Sequence, residues 1–387
     1  MAESPRPHSR LTARVRGNVL LDRTAFRLVA ATIRKPDEAT VARVAAEVAE
    51  AEALFQARGW IDDPASYHVT PPALDGLRTR TRANGNIRYT ALSWPDEYVV
   101  RPEEPGASRF ATYHENRIAR AAVLEHRDGD RPWLVCLHGF GMGSPTMDLR
   151  AFRALHLHRD LGLNVAFLTL PLHGRRRPPG VRMAALPSFD LLDDVHGLAQ
   201  AVWDARQLLE YVRTRTALPV GVMGLSLGGY VSALLASLDD VHAAVLLVPA
   251  VDLSSLMEEG GERVRHNVDP ELFAKAAAVL RVVSPLALTP RVPRDRCLIV
   301  AATLDQFARP TTQAEALWRH WGEPALHWYH GGHIGFQRNK GVQPAVDAAL
   351  RRFELVQSAG PGSPSATHAE MTSSQATTNP ETLGNPA

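Results

Sequence analysis

The sequence predicts an α/β architecture: a mostly parallel central sheet with helices on both faces and two long insertions. Three observations carry that prediction. From residue 133 to 354, short apolar runs bounded by turn residues alternate with segments of helical periodicity. One run, Val220–Leu225, ends in Gly224-Leu225-Ser226-Leu227-Gly228, a glycine-flanked serine at a strand-to-helix junction. Two insertions, at about 171–188 and about 250–290, are longer than a crossover requires, and such loops are usually functional or disordered.

The chain has 387 residues and is 45% apolar, enough for one large domain with extensions. Residues 1–84 form an N-terminal extension with one amphipathic helix. Its first dozen residues, rich in Pro, Ser and Arg, are expected to be disordered. Asp37 is a candidate N-cap, and Val41, Val44, Val48, Ala51 and Phe55 make one apolar stripe that stops near Gly59. A lone helix cannot bury its own face, so this one should pack on the main domain or on a partner chain. The main domain, 85–356, starts with strands at 87–92 and 118–124 in antiparallel style, the second followed by the turn Asp128-Gly129-Asp130. Further strands are expected at 133–137, 163–170, 220–225, 241–248, 297–301 and 325–329. A long helix at 190–215 carries Leu191, Val195, Leu198, Val202, Ala205, Leu209 and Val212 on one face. Shorter helices are expected at 229–238, 311–321 and 342–354. Residues 357–387 are Ser/Thr/Pro/Gly/Ala-rich with few aliphatics, and a disordered tail is expected there.

A net charge of +2 argues against a nucleic-acid binder. Only three of the 43 basic residues are lysine, a compositional bias towards arginine. The two cysteines, Cys136 and Cys297, fall inside expected buried strands, where cysteine behaves as a small hydrophobe, and they make no disulfide framework. The basic N-terminus is not followed by an apolar leader segment, and no apolar run approaches the roughly 18 residues of a membrane span. The expectation is a cytoplasmic protein without a membrane span.

The chemistry starts at Ser226. A serine hydroxyl is a weak nucleophile until a base takes its proton, and attack on a carbonyl then needs donors for the oxygen that becomes negative. After the strand at 133–137 comes His138-Gly139-Phe140-Gly141-Met142-Gly143-Ser144. A loop of this kind supplies one backbone N–H of an oxyanion hole, here Phe140 or Gly141, and the residue after the nucleophile, Leu227, supplies the other. Among 16 histidines, His333 stands out in His330-Gly331-Gly332-His333-Ile334, just past the last strand. Glycines before it let the loop swing the imidazole over the sheet edge, whereas the rival His330 sits nearer the strand end. Asp305 follows the strand at 297–301 and precedes His333 by one helix and one strand, giving the order Ser, Asp, His. Its rival Asp252, with Ser254 and Ser255 beside it, has helix capping as its alternative role.

On these residues the chain resembles the α/β-hydrolase superfamily, in its serine esterase or lipase-like branch, over roughly 87–354. The resemblance implies an eight-stranded central sheet, a Ser226–His333–Asp305 triad, and a cap built from the insertions. It disfavours dehalogenase and epoxide-hydrolase chemistry, because those relatives carry Asp where Ser226 stands. The segment Leu170-Pro171-Leu172-His173-Gly174-Arg175-Arg176-Arg177-Pro178 is similar to a loop of the abhydrolase-domain-containing-18 type. It lies at the sheet edge where open α/β folds bind ligands, which makes His173 and Arg175 candidate substrate contacts. An arginine there would pair with a carboxylate or phosphate; the alternatives are a solvated basic loop or salt bridges that hold the cap closed. The function expected is a serine hydrolase acting on an ester, thioester or related acyl substrate that is small and lipid-like or anionic, with no metal or other cofactor. An acyltransferase using the same residues and a non-catalytic binding protein on the same fold are the alternatives.

Overall fold

Where strands are buried on both faces, the sequence is continuously apolar, and that pattern fixes the centre of the molecule. The computed structural model describes residues 6–7, 12–32, 37–188, 190–264 and 269–356. Its strands are β1 (Arg78–Asn84), β2 (Ile87–Pro95), β3 (Ile118–Leu124), β4 (Trp133–Leu137), β5 (Asn164–Thr169), β6 (Val220–Leu225), β7 (Ala243–Leu247), β8 (Cys297–Ala302) and β9 (Ala325–Tyr329). They form one sheet in the order β1-β2-β3-β5-β4-β6-β7-β8-β9. The pairs β1–β2, β2–β3 and β3–β5 are antiparallel, and every later pair is parallel.

The helices are α1 (Ala13–Thr32), α2 (Glu38–Ala57), the single turn α3 (Ala107–Phe110), α4 (Pro145–Ala151), α5 (Leu191–Arg213), α6 (Leu227–Leu238), α7 (Leu253–Val264), α8 (Pro270–Leu280), α9 (Ala314–His320) and α10 (Val342–Arg352). Side chains alternate across β4 and divide the core in two. Trp133, Val135 and Leu137 join Phe55, Leu198, Val202 and Leu234 from α2, α5 and α6. Leu134 and Cys136 join Leu149, Val346 and Leu350 from α4 and α10. Cys136 and Cys297 are free and buried.

The structure departs from the sequence expectation in two places. The sheet has nine strands rather than the eight implied by the resemblance. The additional strand, β1, lies within the N-terminal extension; its sequence, Arg-Thr-Arg-Thr-Arg-Ala-Asn, is exposed almost throughout, so no apolar alternation marks it. Arginines along an edge strand oppose pairing with another chain. The extension also contains two helices rather than one. Among the described side chains of α1, Val15 and Asp22 are buried, one apolar and one charged. Most of the first dozen residues and the tail 357–387, both expected to be disordered, lie outside the described residues.

Helix α2 begins where Asp37 accepts the Thr40 N–H at 2.8 Å. Its buried Val48, Ala51 and Phe55 pack against α8, the second helix of the insertion at 250–290, and α5. Phe55 meets Trp60 edge-on, their ring centres 5.3 Å apart, and tilts against Tyr67 at 5.4 Å. Beside this apolar contact, Arg109 binds Glu47 of α2 at 2.6 Å, Asp190 at 2.7 Å and Asp193 at 3.0 Å, and Arg43 binds Asp190 at 2.7 Å. The start of α5 is thereby tied to α2. Phe55→Ala is expected to cost about 3–5 kcal/mol by removing a buried aromatic ring. In urea unfolding followed by circular dichroism, the single main transition should move to lower denaturant; a separate early transition confined to the N-terminal helices would contradict this integration.

Candidate active site

The geometry begins with backbone contact. Gly224 and Gly228 bracket Ser226, and β6 runs straight into α6 through it. A Cβ on Gly228 would lie 1.8 Å from the Leu137 carbonyl oxygen, and one on Gly224 would lie 2.1 Å from the Gly228 carbonyl oxygen. Only glycine lets β4, β6 and α6 approach this closely. The turn places Ser226 at φ 55°, ψ −112°, a conformation that costs a non-glycine residue energy. The surroundings hold it there: the Ser226 N–H donates to Leu247 O at 2.9 Å, and Ser226 O accepts from the N–H groups of Tyr230 at 3.1 Å and Ala250 at 3.2 Å.

Three residues distant in sequence meet at this turn. Ser226 Oγ lies 2.9 Å from His333 Nε2, and His333 Nδ1 lies 2.7 Å from Asp305 Oδ2. The pattern assigns the tautomer: Nδ1–H donates to Asp305 and Nε2 accepts the serine O–H. Asp305 is itself fixed, because its Oδ1 accepts the N–H groups of Phe307 and Ala308, both at 2.8 Å. Burial pulls the His333 pKa down, but the charge and hydrogen bond of Asp305 outweigh it, with a further contribution from Asp22, and the net shift is upward from 6.5. The loops bearing Asp305 and His333 are bonded to each other, Thr303 N–H to Tyr329 O and Leu304 N–H to Gly331 O, each at 3.0 Å. The rivals stand elsewhere. His330 is exposed. Asp252 accepts hydrogen bonds from both the Ser254 and Ser255 hydroxyls and from the Ser255 N–H at the start of α7, a helix-capping arrangement.

The N–H groups of Phe140, Gly141 and Leu227 have no backbone acceptor among the described residues. His138 braces the loop that carries Phe140 and Gly141. Its Nδ1–H donates to Gly139 O at 2.9 Å, and its Nε2 accepts the Leu170 N–H at 3.0 Å. Burial keeps this imidazole neutral, its pKa pulled down to about 3. Asp148 accepts the Gly143 N–H at 3.2 Å, and burial pushes its carboxyl up to about 7. The sequence marked His138-Gly139 but not this bracing role.

His173 and Arg175 join none of the hydrogen bonds linking Ser226, His333 and Asp305. His173 is fully buried, its Nδ1 2.9 Å from Pro171 O, and its ring packs edge-on against His138 and Phe140. It supports the Phe140 loop from within rather than presenting its ring to solvent. Arg175 is exposed. The neighbouring Arg176 is fully buried and binds Asp204 at 2.5 Å and Asp96 at 2.6 Å, with further bonds to the carbonyls of Thr169 and Asn116. This arginine anchors the first insertion to α5 and to the segment just after β2. Adjacent arginines look alike in sequence, and only packing separates them. Among the described residues, no group of three or more His, Cys, Asp or Glu side chains is arranged to hold a metal ion, and no helix is long and apolar enough to cross a membrane.

Residues 134–370 match a family model described as the alpha/beta hydrolase family. Two uncharacterized proteins of Mycobacterium tuberculosis, from strains CDC 1551 / Oshkosh and ATCC 25618 / H37Rv, are 39% and 38% identical over 318 residues, spanning 81% of this chain and 76% of each relative. The crystal structure of acetyl xylan esterase 1 from Thermoanaerobacterium sp. JW/SL YS485 shares the fold with a TM-score of 0.53, at 16% identity, over 77% of this chain and 93% of that one.

The two adjacent arginines should separate cleanly on substitution. Arg176→Ala leaves two buried carboxylates without their cation and is expected to cost about 3–5 kcal/mol in urea unfolding. Arg175→Ala should stay within about 0.5 kcal/mol of wild type. Equal effects at the two positions would contradict the assignment of the anchor to Arg176.

Proposed function

The chain belongs to the alpha/beta hydrolase family, and from that premise we propose that it is a serine hydrolase acting on an ester, thioester or related acyl substrate through an acyl-enzyme on Ser226. The observation that carries the proposal is the continuous chain of hydrogen bonds from the Ser226 hydroxyl through His333 to Asp305, 2.9 Å and 2.7 Å long.

The reaction follows from that line. Ser226 Oγ attacks the substrate carbonyl carbon while His333 Nε2 takes the hydroxyl proton. Asp305 keeps Nδ1 protonated and stabilises the imidazolium that forms. The carbonyl oxygen becomes negative and accepts hydrogen bonds from Leu227 N–H and from Phe140 or Gly141 N–H. Each such donor typically contributes about 3–4 kcal/mol to lowering the barrier. Collapse of the tetrahedral intermediate breaks the bond to the leaving group, which departs with the proton from Nε2. Water then attacks the acyl-enzyme, again giving its proton to Nε2, and Ser226 recovers that proton as the acid is released. Each proton taken is returned, so the route needs no group beyond the chain and water. A purely binding role is disfavoured because the nucleophile, base and acid all lie within hydrogen-bonding distance in one site.

Covalent labelling with a fluorophosphonate probe tests the nucleophile. Wild type should react, and Ser226→Ala should neither react nor hydrolyse p-nitrophenyl esters. Asp305→Asn should keep the fold and lower turnover by roughly three to four orders of magnitude, whereas Asp252→Asn should stay within severalfold of wild type. The reverse ranking of the two aspartates would sink the acid assignment.

The pH dependence has a definite sign. The base must be neutral to accept a proton, and the His333 pKa is raised above 6.5. The kcat/KM of ester hydrolysis should therefore fall as the medium becomes acidic, with a midpoint above 6.5. A midpoint well below 6.5 would show that Asp305 does not stabilise the charged imidazole as proposed.

A further inference from the structure

Helix α1 brings a carboxylate to the backbone of the residue proposed as the base. Asp22 is fully buried. Its Oδ2 accepts the His333 N–H at 2.5 Å, and its Oδ1 accepts the Ile334 N–H at 3.1 Å. These two N–H groups open the 3₁₀ turn His333–Arg338, and the first donors of such a turn have no partner within it. The residue ahead of the turn is Gly332, which has no side chain to cap them. Asp22 supplies that cap from more than 300 positions away in sequence.

The glycines around His333 fit this contact. A Cβ on Gly332 would lie 2.1 Å from Asp22 Oδ2, and Cβ atoms on Gly331 and Gly335 would lie 3.5 Å and 3.3 Å from Asn18 Nδ2 on the same helix. The sequence suggested that glycines free the loop to swing. In the structure they also make room for α1, and the loop is bonded on several sides: Tyr329 O–H donates to Gly332 O at 2.7 Å, while Asp22 holds the next two N–H groups.

We propose that Asp22 is a positioning residue for His333, fixing its backbone so that the imidazole stays in line between Asp305 and Ser226. The proposal rests on the serine-hydrolase reading given above. Asp305 and Ser226 hold the two ring nitrogens, but neither fixes the main chain from which the ring projects. Asp22 holds the main-chain N–H groups of His333 and the next residue, which fixes that main chain, and hydrogen bonds to a carboxylate are stronger than neutral ones. A displacement of about 1 Å at a reacting group can cost roughly 100-fold in rate, so this restraint bears on catalysis.

Among the described residues, the charged and titratable groups at this point are His333 itself, Asp305 on the loop after β8, Asp22 on α1 and the Tyr329 phenol at the end of β9. Burial raises the Asp22 pKa, while the two N–H groups oppose that rise by stabilising its ionised form. When ionised it adds to Asp305 in favouring the imidazolium.

The test uses the full chain with Asp22→Asn and Asp22→Ala. It measures the rate of fluorophosphonate labelling, kcat and KM on p-nitrophenyl acetate across pH, and the thermal midpoint. For Asp22→Ala the labelling rate and kcat should fall about 10- to 100-fold, with KM within about twofold and the folded fraction unchanged at the assay temperature. Asp22→Asn keeps one acceptor oxygen and should lie between wild type and Asp22→Ala in rate. Both variants should move the acid limb of kcat/KM to lower pH, because the imidazolium loses a stabilising negative charge. If both label and turn over as wild type does, with an unmoved acid limb, the positioning role is overturned and the serine-hydrolase reading stands. It is equally overturned if activity falls only in proportion to the folded fraction in both variants. A folded wild-type chain that takes no label would overturn the underlying reading, and the positioning role with it.

Discussion

The site depends on one steric constraint: main-chain segments of β4, β6 and α6 approach too closely to admit even one extra carbon. Gly228 packs its Cα against the Leu137 carbonyl and Gly224 packs against the Gly228 carbonyl. The chain between the two glycines must turn sharply, and Ser226 adopts its positive φ as a result. That conformation lifts the hydroxyl out of the sheet while leaving the serine N–H and C=O bonded to neighbours. The same approach brings the loop after β4, with Phe140 and Gly141, beside the start of α6, where the Leu227 N–H lies. The candidate nucleophile and candidate oxyanion donors are therefore consequences of a single packing arrangement.

Much of this was legible in the chain itself. Strands buried on both faces, such as Trp133–Leu137 and Val220–Leu225, must be apolar throughout, and that pattern marks them in the sequence. The glycines around Ser226 announced close backbone approach. The order of Ser226, Asp305 and His333 along the chain singled out candidates that hydrogen bonds join in space. What escaped makes its contacts through polar groups. Strand β1 is an edge strand of arginines and threonines, paired through its main chain, so its side chains leave no pattern. Helix α1 meets the His333 loop through polar groups, and its partner lies at the opposite end of the chain. His173 and Arg175 were singled out for their chemistry and their loop, but burial decides such roles: His173 faces inward, and Arg176, one residue away, forms the buried ion pairs.

The N-terminal region and the insertions form a support around this frame. Helix α2 packs on α8 of the second insertion and is pinned to the start of α5 through Arg43, Glu47, Arg109 and Asp190. Arg176 does the same for the first insertion, joining it to Asp96 and Asp204. Buried ion pairs of this kind add little net stability over apolar packing, yet breaking one leaves an uncompensated charge, so they specify one arrangement of loops.

The central claim is that the Ser226 hydroxyl is the atom that takes the acyl group. Its most direct test is to trap that covalent state: mix the chain with an excess of a chromogenic ester, quench in acid within one turnover, and locate the added mass by peptide mass spectrometry. The account predicts one acyl group per chain, on the peptide containing Ser226, formed at the rate of the initial burst of released alcohol. Hydrolysis that proceeds with no adduct on Ser226, or with the acyl group on another side chain, would contradict it.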